Sequence, residues 1–164
     1  MSAQKVLTSD SLPEWRDAQR SKGLRLIFTN GVFDLLHQGH ATYLQEAKKL
    51  GDVLLVGLNS DSSVKALKGP TRPVQNEATR LTQVSELPWV DAVILFPEIH
   101  VTNLLEKVLP DIYVKGGDYT MDSIDADLRS ALVHLNIDTR FVSHVAGVST
   151  TLILQGKAQA LKPR

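Results

Sequence analysis

Apolar residues fall along the chain in two alternating rhythms. Short, nearly continuous apolar runs occur at 24–30 (LRLIFTN), 52–59 (DVLLVGLN), 91–96 (DAVILF), 111–116 (DIYVKG) and 138–143 (DTRFVS). Each is bounded by polar, Gly or Pro residues, the pattern of strands covered on both faces. Between them the spacing becomes helical. Tyr43, Leu44, Ala47 and Leu50 form one stripe that ends at Gly51, and Ala78, Leu81, Val84 and Leu87 form another that ends at Pro88. Further helices are expected at 100–110, with Pro110 as the stop, at 121–136, and at 149–161 with Ser149 or Thr150 as the cap. A helix near 12–22, capped from Ser9–Ser11, precedes the first strand.

Hydrophobic strands alternating with helices predict a doubly wound α/β domain, with a parallel sheet of about five strands. No repeat, low-complexity segment or linker interrupts the chain, so 1–164 reads as one domain with an N-terminal helical extension over 1–22. In such sheets ligands bind beyond the C-terminal strand ends. Residues 30–40, 59–68, 115–119 and 144–151 should therefore converge.

Composition narrows the function. Eighteen basic residues balance eighteen acidic ones, so no bulk charge points to nucleic acid or an anionic membrane. With no cysteine, disulfides, thiol catalysis and Cys-based zinc sites are excluded. No apolar run approaches the roughly 20 residues needed to span a bilayer, and the first residues lack the apolar core of a secretory signal. These features predict a cytoplasmic protein with small-molecule partners.

Candidate chemistry is densest in TNGVFDLLHQGHATYL (29–44). Gly31 allows close backbone approach, and Gly39 is expected to turn the chain between His37 and His40. A helix opening near His40 directs free N–H groups and a positive dipole end at the sheet edge, a site suited to phosphate. Both imidazoles would donate to phosphate oxygens. Against this stand a capping role for His37 with a surface His40, and a zinc pair, for which no third ligand at suitable spacing is evident. After the second strand, Lys65, Lys68 and Arg72 lie on a polar excursion stiffened by Gly69, Pro70 and Pro73, either as a solvated face or as charge for phosphates. VKGGDY (114–119) offers Lys115, Gly117 and Asp118, as a simple βα turn or as a place where ribose or a base edge is read. GVSTTLIL (147–154) offers Ser149, Thr150 and Thr151, as plain capping or as donors to a terminal phosphate.

Together these residues resemble the cytidylyltransferase-like branch of the nucleotidyltransferase superfamily. GVFDLLHQGH is similar to its G-x-F-D-x-x-H-x-G-H signature, and GVSTTLI to its second signature. Within the branch, TNGVFDLLHQGH, LNSDSSVKALKGPTRPV, Arg80, LPDIYVKGGDY and GVSTT resemble the heptose 1-phosphate adenylyltransferases. His144 stands where glycerol-phosphate and choline-phosphate cytidylyltransferases carry an arginine, which points away from those relatives.

The resemblance implies a Rossmann-like fold and a reaction in which ATP and heptose 1-phosphate give ADP-heptose and pyrophosphate for lipopolysaccharide synthesis. It implies catalytic roles for His37, His40 and Lys65. It assigns ATP contacts to Asn30, Gly31, Val32, Phe33, Gly39, Gly117, Asp118, Ser149, Thr150 and Thr151, and sugar-phosphate contacts to Lys68, Arg72 and Lys115. Mg²⁺ would be held mainly by ATP and water, with no metal site on the protein. A separate sugar kinase is expected, and a homodimer is compatible. The rival readings are a cytidylyltransferase for glycerol phosphate or another alcohol phosphate, and a non-catalytic nucleotide-binding module.

Overall fold

The computed structural model describes residues 5–117 and 119–142. The expected helix at 149–161, and the candidates Asp118, His144, Ser149, Thr150 and Thr151, lie outside the described residues.

Among the described residues six parallel strands form one sheet: β1 (Val6–Leu7), β2 (Leu26–Gly31), β3 (Val53–Asn59), β4 (Ala92–Phe96), β5 (Ile112–Gly116) and β6 (Asp138–Val142), in the order β1-β4-β3-β2-β5-β6. The helices are α1 (Leu12–Ser21), α2 (Gln38–Lys48), α3 (Asp61–Lys68), α4 (Glu77–Ser85), α5 (Thr102–Val108) and α6 (Ala126–His134). Alternate strand residues feed two cores. Leu26, Phe28, Leu55, Ile94 and Tyr113 pack with Leu12 of α1, Leu104, Leu105 and Val108 of α5, and Leu128 and Leu132 of α6. Ile27, Leu54, Val56, Val93, Ile112 and Val114 pack on the other face with Tyr43, Leu44 and Ala47 of α2 and Val84 of α4. Every residue of β3 is buried, which is why that run carries no polar alternation.

The sheet thus has one strand more than the pattern predicts. β1 falls in the segment read as a helical extension and pairs with β4 at Val6↔Val93 and Leu7↔Ile94. Two residues cannot display a period, so only the open edge of β4 reveals them as a strand. Three helices also differ from expectation. The excursion after β3 contains α3, because Ser60 caps it by accepting the Ser63 N–H at 3.3 Å. α6 opens at Ala126, where the Asp125 carboxylate accepts the N–H groups of Asp127 and Leu128 at 3.1 Å. α4 ends at Ser85, three residues before Pro88.

The chain runs from β2 outward through β3 to β4, then returns to the opposite side of β2 with β5. β2 pairs with β3 along its whole length, from Leu26↔Val53 to Gly31↔Leu58. With β5 it pairs only at Ile27↔Ile112 and Phe28↔Tyr113. Beyond that point the two strands have no ladder pairs, and a crevice opens at the switch in strand order. The exposed ladder groups need other partners. Thr29 Oγ1 lies 2.8 Å and Tyr43 Oη 3.1 Å from the Val114 carbonyl, and the two hydroxyls are 2.7 Å apart. One hydroxyl donates to the carbonyl, and the other donates to it or to its neighbour.

Thr29→Val should cost about 1 kcal/mol, because Tyr43 still serves the Val114 carbonyl. Adding Tyr43→Phe removes both donors from a buried oxygen, and the pair should cost about 1–3 kcal/mol more than the single effects summed. Urea denaturation of the two single variants and the double variant measures this coupling. Strict additivity would show that the carbonyl has another donor.

Candidate functional site

β2 ends at Gly31, where a Cβ would stand 2.8 Å from the Phe33 ring. Glycine leaves room there for the ring to fold back onto the strand end, and a larger residue would have to displace it. Phe33 and Leu35 both adopt left-handed backbone, each with φ of 51°, a conformation costing on the order of 1–2 kcal/mol per residue. Tertiary contacts hold it. Phe33 is buried, and the wholly buried Asp34 carboxylate accepts the N–H groups of Val74 at 2.7 Å and Gln75 at 3.0 Å and pairs with Arg72 Nε at 3.2 Å. Leu35 N–H donates to Gln75 Oε1 at 3.2 Å. The turn after β2 and the segment 72–75 are thereby bolted together.

His37 is the N-cap of α2. Its Nδ1 accepts the His40 N–H, and His40 Nδ1 accepts the His37 N–H, both at 3.3 Å. This is a capping box built from two imidazoles. The rings stack at 3.7 Å and 16°, and the Phe33 ring meets His40 edge-on at 5.2 Å. A ring that accepts at Nδ1 keeps its proton on Nε2. The capping box therefore sets both tautomers.

Arg80 on α4 is fully buried. It donates to the carbonyls of Gln75 at 3.0 Å, Val32 at 2.9 Å and Asn59 at 2.8 Å, and to the Asp61 carboxylate at 2.9 Å. One guanidinium thus joins the ends of β2 and β3, the start of α3 and the 72–75 segment.

These supports frame a cleft of about 360 Å³ above the β2/β5 switch. Asn30, Gly31, Val32, Phe33, Gly39, His40, Lys68, Arg72 and Lys115 all line it, joined by Asp34, Tyr43, Gly116 and Tyr119. Three cations and an imidazole beside the first turn of a helix make it a pocket for anions. Lys115 lies 4.8 Å from the centre of the Tyr119 ring. Burial lowers the pKa of its ammonium, and the nearby Asp125 carboxylate partly opposes that shift.

Four sequence expectations look different here. Gly39 makes no turn; it is the second residue of α2, which opens at Gln38 rather than His40. His37 does not line the cleft: it is buried and caps the helix, while His40 faces the cavity. Lys65 is exposed on α3, one turn before Lys68, and is not among the lining residues. Gly117 leaves β5 with φ of 89° and donates to the Val142 carbonyl at 3.0 Å, outside the cleft lining. Sequence reasoning passed over Asp34 as a clamp, although it lies inside the richest motif. The Thr29–Tyr43 and Tyr113–Asn30 pairs, 14 and 83 residues apart in sequence, had no local signal.

A parallel α/β sheet with a cationic cleft at its switch point defines a nucleotide-binding class of fold. The chain belongs to the cytidylyltransferase-like family, whose profile matches residues 28–156. It is 42% identical over 151 residues to "Bifunctional protein HldE" of Geotalea uraniireducens, covering 92% of this chain and 30% of that protein. It is 46% identical over 144 residues to the protein of the same name from Campylobacter fetus subsp. fetus, covering 88% and 30%. The chain therefore spans about a third of the length of these curated relatives. A solved lipopolysaccharide core biosynthesis protein from Thermoplasma volcanium superposes with a TM-score of 0.62 at 38% identity, covering 75% of this chain and 98% of that one. A pantoate-beta-alanine ligase from Francisella tularensis shares the fold alone, with a TM-score of 0.63 at 14% identity over 93% of this chain and 76% of that one. Among the described residues no helix is long and apolar enough to cross a membrane.

Arg80→Met should lower stability by about 3–5 kcal/mol, because it strands three carbonyls and the Asp61 carboxylate; denaturant unfolding measures it, and a loss below about 1 kcal/mol would show that water replaces the guanidinium. The pH dependence of anion binding should follow Lys115. A lowered pKa means that its charge is lost early as pH rises, whereas a bound anion favours the charged form. Pyrophosphate should therefore bind with proton uptake at alkaline pH, and more weakly as pH climbs through the free-state pKa. Calorimetry in two buffers of different ionisation enthalpy checks the uptake, which Lys115→Met should abolish.

Proposed function

We propose that the chain is an adenylyltransferase that moves AMP from ATP to D-glycero-β-D-manno-heptose 1-phosphate, releasing ADP-heptose and pyrophosphate for lipopolysaccharide core synthesis. The observation that carries this reading is the placement of His40, at the first turn of α2, in a cleft shared with Lys68, Arg72 and Lys115. The family membership and the relatives' names supply the direction.

In this reaction an oxygen of the sugar phosphate attacks the α-phosphorus of ATP. A new P–O bond forms, the bond from the α-phosphorus to the bridging oxygen breaks, and its electron pair leaves with pyrophosphate. A phosphate monoester is already anionic near neutrality, so the attack requires no general base. The protein contributes positioning and charge stabilisation. His40, with its proton set on Nε2 by the capping box, donates to the phosphate oxygens where charge grows. Lys68, Arg72 and Lys115, which all line the cleft, supply charge for the sugar phosphate as it meets the nucleotide. Asp118 is assigned to the nucleoside and Ser149, Thr150 and Thr151 to the outer phosphates, on the family resemblance.

Mg²⁺ would enter with the nucleotide and shield its phosphates. The Asp34 carboxylate is taken up by Arg72, Val74 and Gln75, and among the described residues no group of three His, Asp or Glu side chains is placed for a metal. A sugar kinase step would supply the acceptor, in a cytoplasmic setting where both substrates are small molecules.

Pyrophosphate release with ATP or CTP, and heptose 1-phosphate or glycerol 3-phosphate, tests the reading. Turnover should be greatest with ATP and heptose 1-phosphate. A preference for CTP and glycerol phosphate overturns it. His40→Ala should lower turnover on the order of 100- to 1,000-fold and, by removing half of the capping box, cost about 1 kcal/mol of stability. Full turnover in the folded fraction of that variant would make His40 purely structural.

A further inference from the structure

A second cavity, of about 220 Å³, lies beyond the ends of β2, β3 and β5 and touches the cationic cleft. Asn30 and Lys115 line both. Asn59, His100, Thr102 and Asp125 add an amide, an imidazole, a hydroxyl and a carboxylate to its wall. Its rim also carries Leu67 and Ile99, which are 46% and 44% exposed. Mixed donors and acceptors beside a few aliphatic groups suit a polyhydroxylated molecule, which presents hydroxyls on its edges and C–H groups on its faces.

The junction between the cavities is organised by one buried phenol. Tyr113 lies inside β5 and is fully buried, its ring 6.1 Å from that of Phe28. Its hydroxyl donates to Asn30 Oδ1 at 2.5 Å. Burial raises the Tyr113 pKa, and the neighbouring Tyr43 adds to the shift, so the phenol keeps the proton it donates. With Oδ1 engaged, the amide has its two N–H donors left to offer, at the place where the two cavities meet.

We propose that the second cavity binds the phosphorylated sugar acceptor, and that Tyr113 is a positioning residue that orients the Asn30 amide to donate to the acceptor's phosphate. This rests on the adenylyltransferase reading for the identity of the acceptor. Lys115, shared by both cavities, neutralises the same phosphate as it approaches the nucleotide. Asn30 thereby discriminates by donor direction: it favours an anionic group at the junction and leaves the sugar hydroxyls to the deeper wall.

The test uses the full chain saturated with α,β-methylene-ATP. Binding of heptose 1-phosphate, mannose 1-phosphate and glycerol 3-phosphate is measured by titration, alongside pyrophosphate release with ATP itself. Tyr113→Phe keeps the ring and removes only the hydroxyl. It should weaken the sugar phosphate that binds the wild type about 5- to 10-fold while leaving affinity for the ATP analogue within 2-fold. Asn30→Asp keeps an acceptor for Tyr113 but replaces the donors with negative charge. It should weaken the same sugar phosphate on the order of 100-fold, whereas a merely structural pair predicts little change. Equal weakening of both ligands by Tyr113→Phe, unchanged acceptor binding in both variants, or no binding of any of the three phosphates to the wild type overturns the inference. Binding with the expected ratios but without pyrophosphate release overturns the adenylyltransferase reading and leaves the acceptor cavity standing.

Discussion

The site depends on one buried guanidinium. Arg80 reaches from α4 to the ends of β2 and β3, to the start of α3 and to the 72–75 segment. A planar fork of donors can satisfy several carbonyls at once, which an ammonium on a flexible stem cannot do with the same geometry. Desolvating it is costly unless its donors are met, and here each of its three nitrogens has a partner. The consequence is rigidity at an edge of the sheet that would otherwise consist of loops. Asp34 repeats the device with opposite charge, fixing Arg72 and the segment that carries it against the turn after β2.

On that frame the wall of the cleft beside α2 is made from helix chemistry. The first turn of α2 has N–H groups that the helix itself cannot satisfy. Capping by two imidazoles satisfies one at the helix entrance, stacks the rings, and fixes the proton on each Nε2. The cap and this wall of the cleft are therefore two aspects of one arrangement. The same residues that start the helix present a neutral donor to the cleft at no further conformational cost. His37 serves only the cap, whereas His40 takes part in the cap and also lines the cleft.

The crevice itself comes from lost pairing. β2 and β5 separate after Phe28 and Tyr113, and hydroxyls from Thr29 and Tyr43 take over a carbonyl that the ladder would have satisfied. Tyr113, at the last paired position, turns its own hydroxyl toward Asn30. A sheet seam is thus converted into two adjoining cavities by three hydroxyls, each buried and each partnered.

Much of this architecture is legible along the chain. Strands buried on both faces must be continuously apolar, so β2, β3, β4 and β5 show themselves, and a parallel sheet follows from the helical stripes between them. The cleft's location follows as well, because switch-point geometry brings Asn30 through His40 and Lys115 to one edge. Lys68 and Arg72 are chemically conspicuous for the same reason. What tertiary structure alone decided is where pairing stops and which polar groups meet across long separations. β1 is too short to have a period and exists only because β4 offers it an edge. α3 and the late start of α6 depend on single capping side chains that compete with turn conformations of similar energy. Lys65 and Lys68 are alike as residues and share one face of α3, yet only Lys68, a turn nearer the helix end, lines the cleft. Gly39 reads as a turn beside a histidine, but the capping box carries the helix through it. Local sequence determines the elements; the buried hydrogen bonds of Arg80, Asp34 and Tyr113, made between residues far apart in the chain, determine the site.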